Sequence, residues 1–208
     1  MKKIKYFYSL IYLIVLFAVT GCSTSIAVKA RSDSRIDVGL DMAAGPVMQQ
    51  LLGLYGVAVD AGTLSQMKKG LEESFFYNVK TDSPSPTSFA VSGTVLPVST
   101  QSIISRKEHS LTLNLSPSEI QAFVHALPED VRSYLDLFAA PVFTGDALTR
   151  EEYTSLISII YGQRLAKELD DADIKITLES PTGKKTEFKL PVMEFLTLTE
   201  DKSFSIKF

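Results

Sequence analysis

The chain has 208 residues, 45% of them hydrophobic and 22% charged, with a formal net charge of −3. It carries no tryptophan, two histidines and one cysteine. A lone cysteine rules out an internal disulfide and a multi-cysteine metal cage, and a mildly acidic balance is a poor match for nucleic acid or for electrostatic adhesion to anionic lipid.

The first segment is the most informative. Lys2, Lys3 and Lys5 form a positive start, and Tyr6 to Ala18 is a charge-free apolar run. Small residues then lead to Cys22, in the order Val19-Thr20-Gly21-Cys22. This is the layout of a secretory signal with a processing site. The run is too short for a comfortable bilayer crossing. The four residues resemble the lipobox of bacterial lipoproteins. That resemblance implies removal of residues 1–21 and acylation of Cys22. A single acyl chain holds a protein marginally, at about 0.8 kcal/mol per buried CH2; the resemblance implies several chains and permanent attachment. Ser23 in place of an aspartate implies, by the same resemblance, sorting to the outer membrane with the body in the periplasm. Without residues 1–21 the balance is 18 basic to 24 acidic residues, a net of −6. Residues 22–34 are expected to be the lipidated N-terminus and a tether.

Two units are expected after the tether, over 35–115 and 116–208. In the first, Ile36, Val38, Leu40 and Met42 alternate as in a strand, while Ile36, Leu40, Ala43, Ala44 and Val47 also fit one helical face. An internal repeat, described below, favours the helix. Thr63 and Gln66 read as a helix start, with Leu64, Met67, Leu71 and Phe75 as its apolar stripe. Strands are expected at about 76–81, 88–98 and 108–115, with a turn or edge loop at the Ser-Pro-Ser-Pro stretch 83–86.

In the second unit, Ser116 and Glu119 form a capping box before Ile120, Phe123, Val124 and Leu127. Pro128 suits the start of a further helix carrying Val131, Tyr134, Leu135 and Phe138, which Pro141 ends. Thr149 and Glu152 form a second capping box. One long amphipathic helix is expected from there to Leu169. Ile174 to Leu178 alternates as a strand, Pro181 to Lys184 is a turn, and Phe188 to Leu190 returns as the partner. Glu194 to Thr199 and Ser203 to Phe208 supply one or two more strands.

The repeat rests on a near-constant offset. Leu40 to Met48 reads against Leu135 to Phe143, 95 residues on. At the same offset Val79-Lys80 faces Ile174-Lys175 and Ser85-Pro86-Thr87 faces Ser180-Pro181-Thr182. Leu96-Pro97-Val98 faces Leu190-Pro191-Val192, and Ser110 to Leu115 resembles Ser203 to Phe208. The expected fold is therefore α+β, a tandem duplication of a helix-helix-three-strand antiparallel unit with helices packed on sheet. In element order this is similar to the helix-helix-sheet fold of small lipoproteins of the outer-membrane assembly machinery and of the tandem protein inhibitors of beta-lactamase. No signature motif accompanies the likeness, so it assigns no functional residue.

The residues announce little chemistry. His125 lies beside the apolar face of its helix, and His109 stands in a charged cluster with Lys107 and Glu108. Their spacing is not that of metal ligands, and no HExxH helix is present. No G-x-S-x-G elbow occurs. The acidic pairs Glu72-Glu73, Glu151-Glu152 and Asp170-Asp171 are helix neighbours about 100° apart and do not face each other. Gly53 and Gly56 do not complete a phosphate loop. The expectation is no catalytic residue, no metal, no cofactor and no nucleic-acid partner. The partners expected are the membrane, through Cys22, and envelope proteins. The alternative is lipid, bound through the apolar stretches Met42 to Val59, Leu135 to Phe143 and Leu156 to Tyr161.

Overall fold

In a computed structural model, the described residues are 22–54, 60–73, 76–96, 103–125 and 140–208. The first element is a strand, β1 (Cys22–Ala30). Its even-numbered residues Thr24, Ile26, Val28 and Ala30 are buried, while Ser23, Ala27 and Lys29 are exposed. That period of two is the pleat of a strand with one dry face. The tether expected over residues 22–34 is thus strand and turn instead. β2 (Ile36–Ala44) pairs with β1 antiparallel, Cys22 opposite Ala44 and Ala30 opposite Ile36. The helix expected here is not formed. A strand with a partner on each side satisfies all its backbone groups, and it buries Ile36, Val38, Leu40, Met42 and Ala44 together.

A short helix, α1 (Pro46–Leu54), and a longer one, α2 (Ala61–Glu73), follow. Helix α2 starts before the expected Thr63, since the Leu64 amide already donates to the Asp60 carbonyl. A hairpin of β3 (Tyr77–Ser85) and β4 (Ser88–Val95) comes next, and β4 pairs with β2. β3 runs through the Ser-Pro stretch as an edge strand with two register irregularities, which keeps Pro84 off the inner ladder. A strand that was not expected, β5 (Ile104–Lys107), turns at Glu108-His109 into β6 (Ser110–Leu115), the strand expected at 108–115.

Helix α3 (Pro117–His125) forms where the capping box pointed. The helix expected from Pro128 lies outside the described residues. Pro141 opens a helix, α4 (Pro141–Thr144), where its missing N–H costs nothing. The long helix expected from Thr149 to Leu169 is two, α5 (Arg150–Tyr161) and α6 (Gln163–Asp170). Gly162 divides them with φ 92° and ψ 156°, a conformation open almost only to glycine. β7 (Asp173–Glu179) and β8 (Lys185–Pro191) form the expected hairpin. The strand expected from Glu194 is a helical turn, α7 (Val192–Leu196), because Val192, Met193, Phe195 and Leu196 are all buried and so dense a cluster cannot alternate. β9 (Lys202–Lys207) ends the fold.

The result is a mixed α+β fold with helices packed on sheets. Six strands stand in the order β3-β4-β2-β1-β7-β8, and three in the order β5-β6-β9. β1 is central and runs parallel to β7, so the first and last thirds of the chain share one sheet. The inner face of the large sheet, the small sheet and the helices enclose one core. Its fully buried side chains include Tyr153, Phe89, Phe195, Ile26 and Met48, each contributing about 1.5–3 kcal/mol if its apolar area is removed from water. Phe188 of β8 meets Phe204 of β9 with ring centroids 5.3 Å apart, joining the two sheets.

Gly93 in β4 marks the tightest approach in the core. A Cβ there would lie 2.8 Å from Cδ1 of Phe76, a buried ring. The two halves do not repeat the expected helix-helix-three-strand order, since the first opens with two strands. The hairpins β3-β4 and β7-β8, equated by the offset, also sit differently: β3 is an edge and β7 an inner strand.

Candidate functional site

Two regions gather the features that bear on function, the end of the large sheet where β1 begins and the sheet face without helices. At the first, Cys22 is the opening residue of the central strand. Ala44 is its cross-strand partner, and the Ala44 amide donates to the Thr87 carbonyl. On the other side Thr24 pairs with Ile174, and the Val192 amide donates to the carbonyl of Ala172. The row Thr87, Ala44, Cys22, Ala172 and Val192 thus crosses the sheet at one level.

Helix α1 starts beside this row. Pro46 has no N–H to satisfy. The amides of Val47 and Met48 donate to Oε2 and Oε1 of Glu168 in α6, both at 2.9 Å, and the Gln49 amide bonds the Gly45 carbonyl. A carboxylate from a distant helix therefore caps α1 completely and sits at the positive end of its dipole. The other acids here are also neutralised. Asp170 accepts from Arg150 at 2.5 Å, Asp171 pairs with Lys167 at 2.7 Å, and Asp173 with Lys189 at 3.7 Å. The hydrogen bond from Lys167 to Asp171 raises the lysine above its ordinary pKa.

The helix-free face is laid down in rows by the strand registers. One row runs Ser92, Gly39, Ala27 and Thr177 across β4, β2, β1 and β7, a strip of small side chains. The next row toward the β1–β2 turn runs Thr94, Asp37, Lys29, Glu179 and Lys185. There Thr94 Oγ1 donates to Asp37 at 2.8 Å, and Glu179 takes Lys29 at 2.7 Å and Lys185 at 3.4 Å. The Lys29 hydrogen bond, aided by the charge of Lys185, holds the Glu179 carboxyl below its usual range. Lys175 and Glu187 add a pair at 2.9 Å. Each exposed pair contributes about 0.2–1 kcal/mol, so the ladder orders the face more than it stabilises the fold.

Beyond that row, Arg106 of β5 donates to the carbonyls of Arg31 and Arg35 at 2.6 and 3.2 Å. It ties the small sheet to the β1–β2 turn, where Asp33 bonds Arg35. None of these face residues was singled out from the sequence. Their signal was the alternation Ser23-Ser25-Ala27-Lys29, hidden by the tether reading.

The sequence candidates for chemistry are scattered. His109 is exposed in the β5–β6 turn, 3.9 Å from Glu108, and His125 is exposed at the end of α3. Glu72 lies 3.9 Å from Lys68 on the surface of α2. Glu152 completes the capping box, its carboxylate accepting from the Thr149 amide at 2.8 Å, which lowers its pKa. Asp170 and Asp171 hold different cations and do not form a carboxylate dyad. Gly53 is exposed on α1, and Gly56 lies outside the described residues. Among the described residues no three His, Cys, Asp or Glu side chains converge as a metal site. Among them, too, no helix is long and apolar enough to cross a membrane.

Two recesses flank the helices. One of about 430 Å³ is lined by Val47, Arg164, Lys167, Glu168, Asp171 and Ala172. The other, about 800 Å³, is a groove along α5 and α6 between Arg150 and Lys167. Both are open to solvent and edged by charge, and Glu168, Asp170 and Asp171 in them are occupied by the pairs and caps above. No family model matches the chain, and no curated protein matches it either.

Proposed function

We propose that this chain is a lipid-anchored bacterial envelope lipoprotein, acylated on Cys22 after removal of residues 1–21, whose body is a non-enzymatic protein-binding or accessory module at the outer membrane, facing the periplasm. The observation that carries the reading is Val19-Thr20-Gly21-Cys22 directly behind a charge-free apolar run with Lys2, Lys3 and Lys5 before it. The binding role draws on the helix-free face, where a strip of small side chains borders an ordered ladder of charge and a partner could approach the backbone closely. Labelled palmitate fed to the host is expected in the wild-type chain and absent from Cys22→Ser. Cross-linking from the open face in intact envelopes, through a photo-reactive residue at Ala27, is expected to recover one reproducible protein. Wild-type protein without label, or no reproducible cross-link, refutes the anchor or the binding role respectively.

A second reading, lipid binding through apolar helices, draws on Leu54 at 85% and Ile159 at 80% exposure. Native mass spectrometry of the body with co-purified lipid would favour it. A tandem duplication is proposed as well, on the sequence offset and not on the order of elements, which the two halves do not share. Pro46 and Pro141, 95 residues apart, each open a helix, and Thr112 faces Ser205, 93 residues on, across the β6–β9 ladder at 2.8 Å between hydroxyls.

A further inference from the structure

We infer that the body stands on the bilayer by the end of the six-stranded sheet at Cys22, with exposed Pro46 and Pro86 and half-buried Thr87 as the rim that meets the lipid headgroups. This rests on the acylation of Cys22 proposed above. A lipoprotein body usually hangs from a flexible linker, and a linker leaves its orientation free. Here no linker residue exists. Cys22 is itself in register with Ala44 in the central strand, and the ladder continues unbroken to Ala30 opposite Ile36. Acyl chains on Cys22 enter the bilayer at the first rung of a hydrogen-bonded sheet, so the neighbouring rungs are carried to the same depth. Those neighbours are fixed: the Thr87 carbonyl holds Ala44, and Thr24 pairs with Ile174, with Cys22 and Ala172 each two residues before their member of that pair.

The rim chemistry fits a lipid surface. Pro46 and Pro86 are exposed and Thr87 is half-buried, all three uncharged, and the small residues Ala44, Gly45 and Ala172 lie buried behind them. The acids beside α1 and Ala172 are each held by a partner, Glu168 by the α1 amides and Asp170, Asp171 and Asp173 by Arg150, Lys167 and Lys189. The opposite end, with Arg31, Asp33, Arg35, Arg106 and Lys184, is held away. β1 has nine residues, which at about 3.3 Å each places that end roughly 30 Å further out. Pivoting to lay the open face on the membrane would press exposed Asp41 against the headgroups.

The test uses the full-length lipidated chain. The acylated Cys22 has no free thiol, so an introduced cysteine is a unique label site. An environment-sensitive fluorophore is placed at Thr87→Cys, at Pro86→Cys as a second rim site, and at Thr182→Cys in the far turn. The proteins are reconstituted into phosphatidylethanolamine–phosphatidylglycerol vesicles carrying a headgroup nitroxide, and an unchanged melting temperature certifies each fold. Quenching at 86 and 87 is expected to exceed that at 182 severalfold. Equal or reversed quenching in acylated protein overturns the upright stance while leaving the anchor intact. Failure of palmitate to enter the wild-type chain removes the anchor, and this inference with it.

Discussion

Glu168 is the side chain whose loss tests the fold most sharply. It lies in α6, yet both its oxygens accept from the first free amides of α1, some 120 residues earlier in the chain. Glu168→Ala strands the Val47 and Met48 amides in a half-buried position and removes a negative charge from the helix start. Loss of a helix cap costs about 0.5–2 kcal/mol, and loss of a hydrogen bond to a charged group about 1.5–3 kcal/mol. Water reaching this open site offsets part of the second figure, so about 2 kcal/mol is expected. For a body of this size that is a fall in Tm of about 4–8 °C. Glu168→Gln keeps one acceptor and should lose about half as much. Hydrogen exchange should localise the effect, with α1 amides accelerated and those of β1 and β2 unchanged. If Glu168→Ala melts within about 1 °C of wild type and α1 exchange does not change, the cap carries no energy and the reasoning fails.

Three further outcomes follow from the packing and the charge ladder. Gly93→Ala should destabilise by about 1–3 kcal/mol, because its new methyl group would overlap the Phe76 ring; combined with Phe76→Leu the loss should shrink, and strictly additive losses in urea denaturation would refute the contact. Gly162→Ala meets no atom within 4 Å, so its cost is backbone strain alone, about 1–3 kcal/mol by thermal melting; a gain in stability would mean that α5 and α6 merge without penalty. Glu179 has a folded-state pKa held below its unfolded value, so its contribution is full above about pH 4.5 and is lost as pH falls through the folded value. The stability gap between wild type and Glu179→Gln should therefore narrow on acidification below pH 4.5, and a gap that stays constant down to pH 3 would contradict the Lys29 and Lys185 pairing.

The second half of the body was the more legible part. Thr149 and Glu152 read correctly as a capping box because that motif is complete within four residues. The hairpin from Ile174 to Leu190 alternates cleanly around a Pro-Thr-Gly turn, so both strands and their pairing were readable from local sequence. The failures are non-local. Ile36 to Ala44 fits both periods, and only pairing with β1 and β4 on either side decides for the strand. β1 itself was missed because Ser and Ala dilute its few β-branched residues, and its partner β7 lies about 150 residues away. Gly162 was visible, but a glycine inside a helical pattern does not declare whether it will bend the chain. The candidate site divides the same way. The Val19-Thr20-Gly21-Cys22 motif proposed for acylation is contiguous, whereas the face made of Ala27, Gly39, Ser92 and Thr177 exists only once four strands are in register.

The parallel pairing of β1 with β7 has a consequence for biogenesis. Synthesis from the N-terminus delivers β1 first and the strand that completes it only after Asp173 has emerged. Until then β1 has one open edge, and Ile26 and Val28 lack the cover that the late elements supply, so the nascent body is vulnerable to aggregation and proteolysis until most of the chain is made. A product truncated before residue 173 cannot mature into a smaller version of this protein, because it lacks the neighbour of its own first strand.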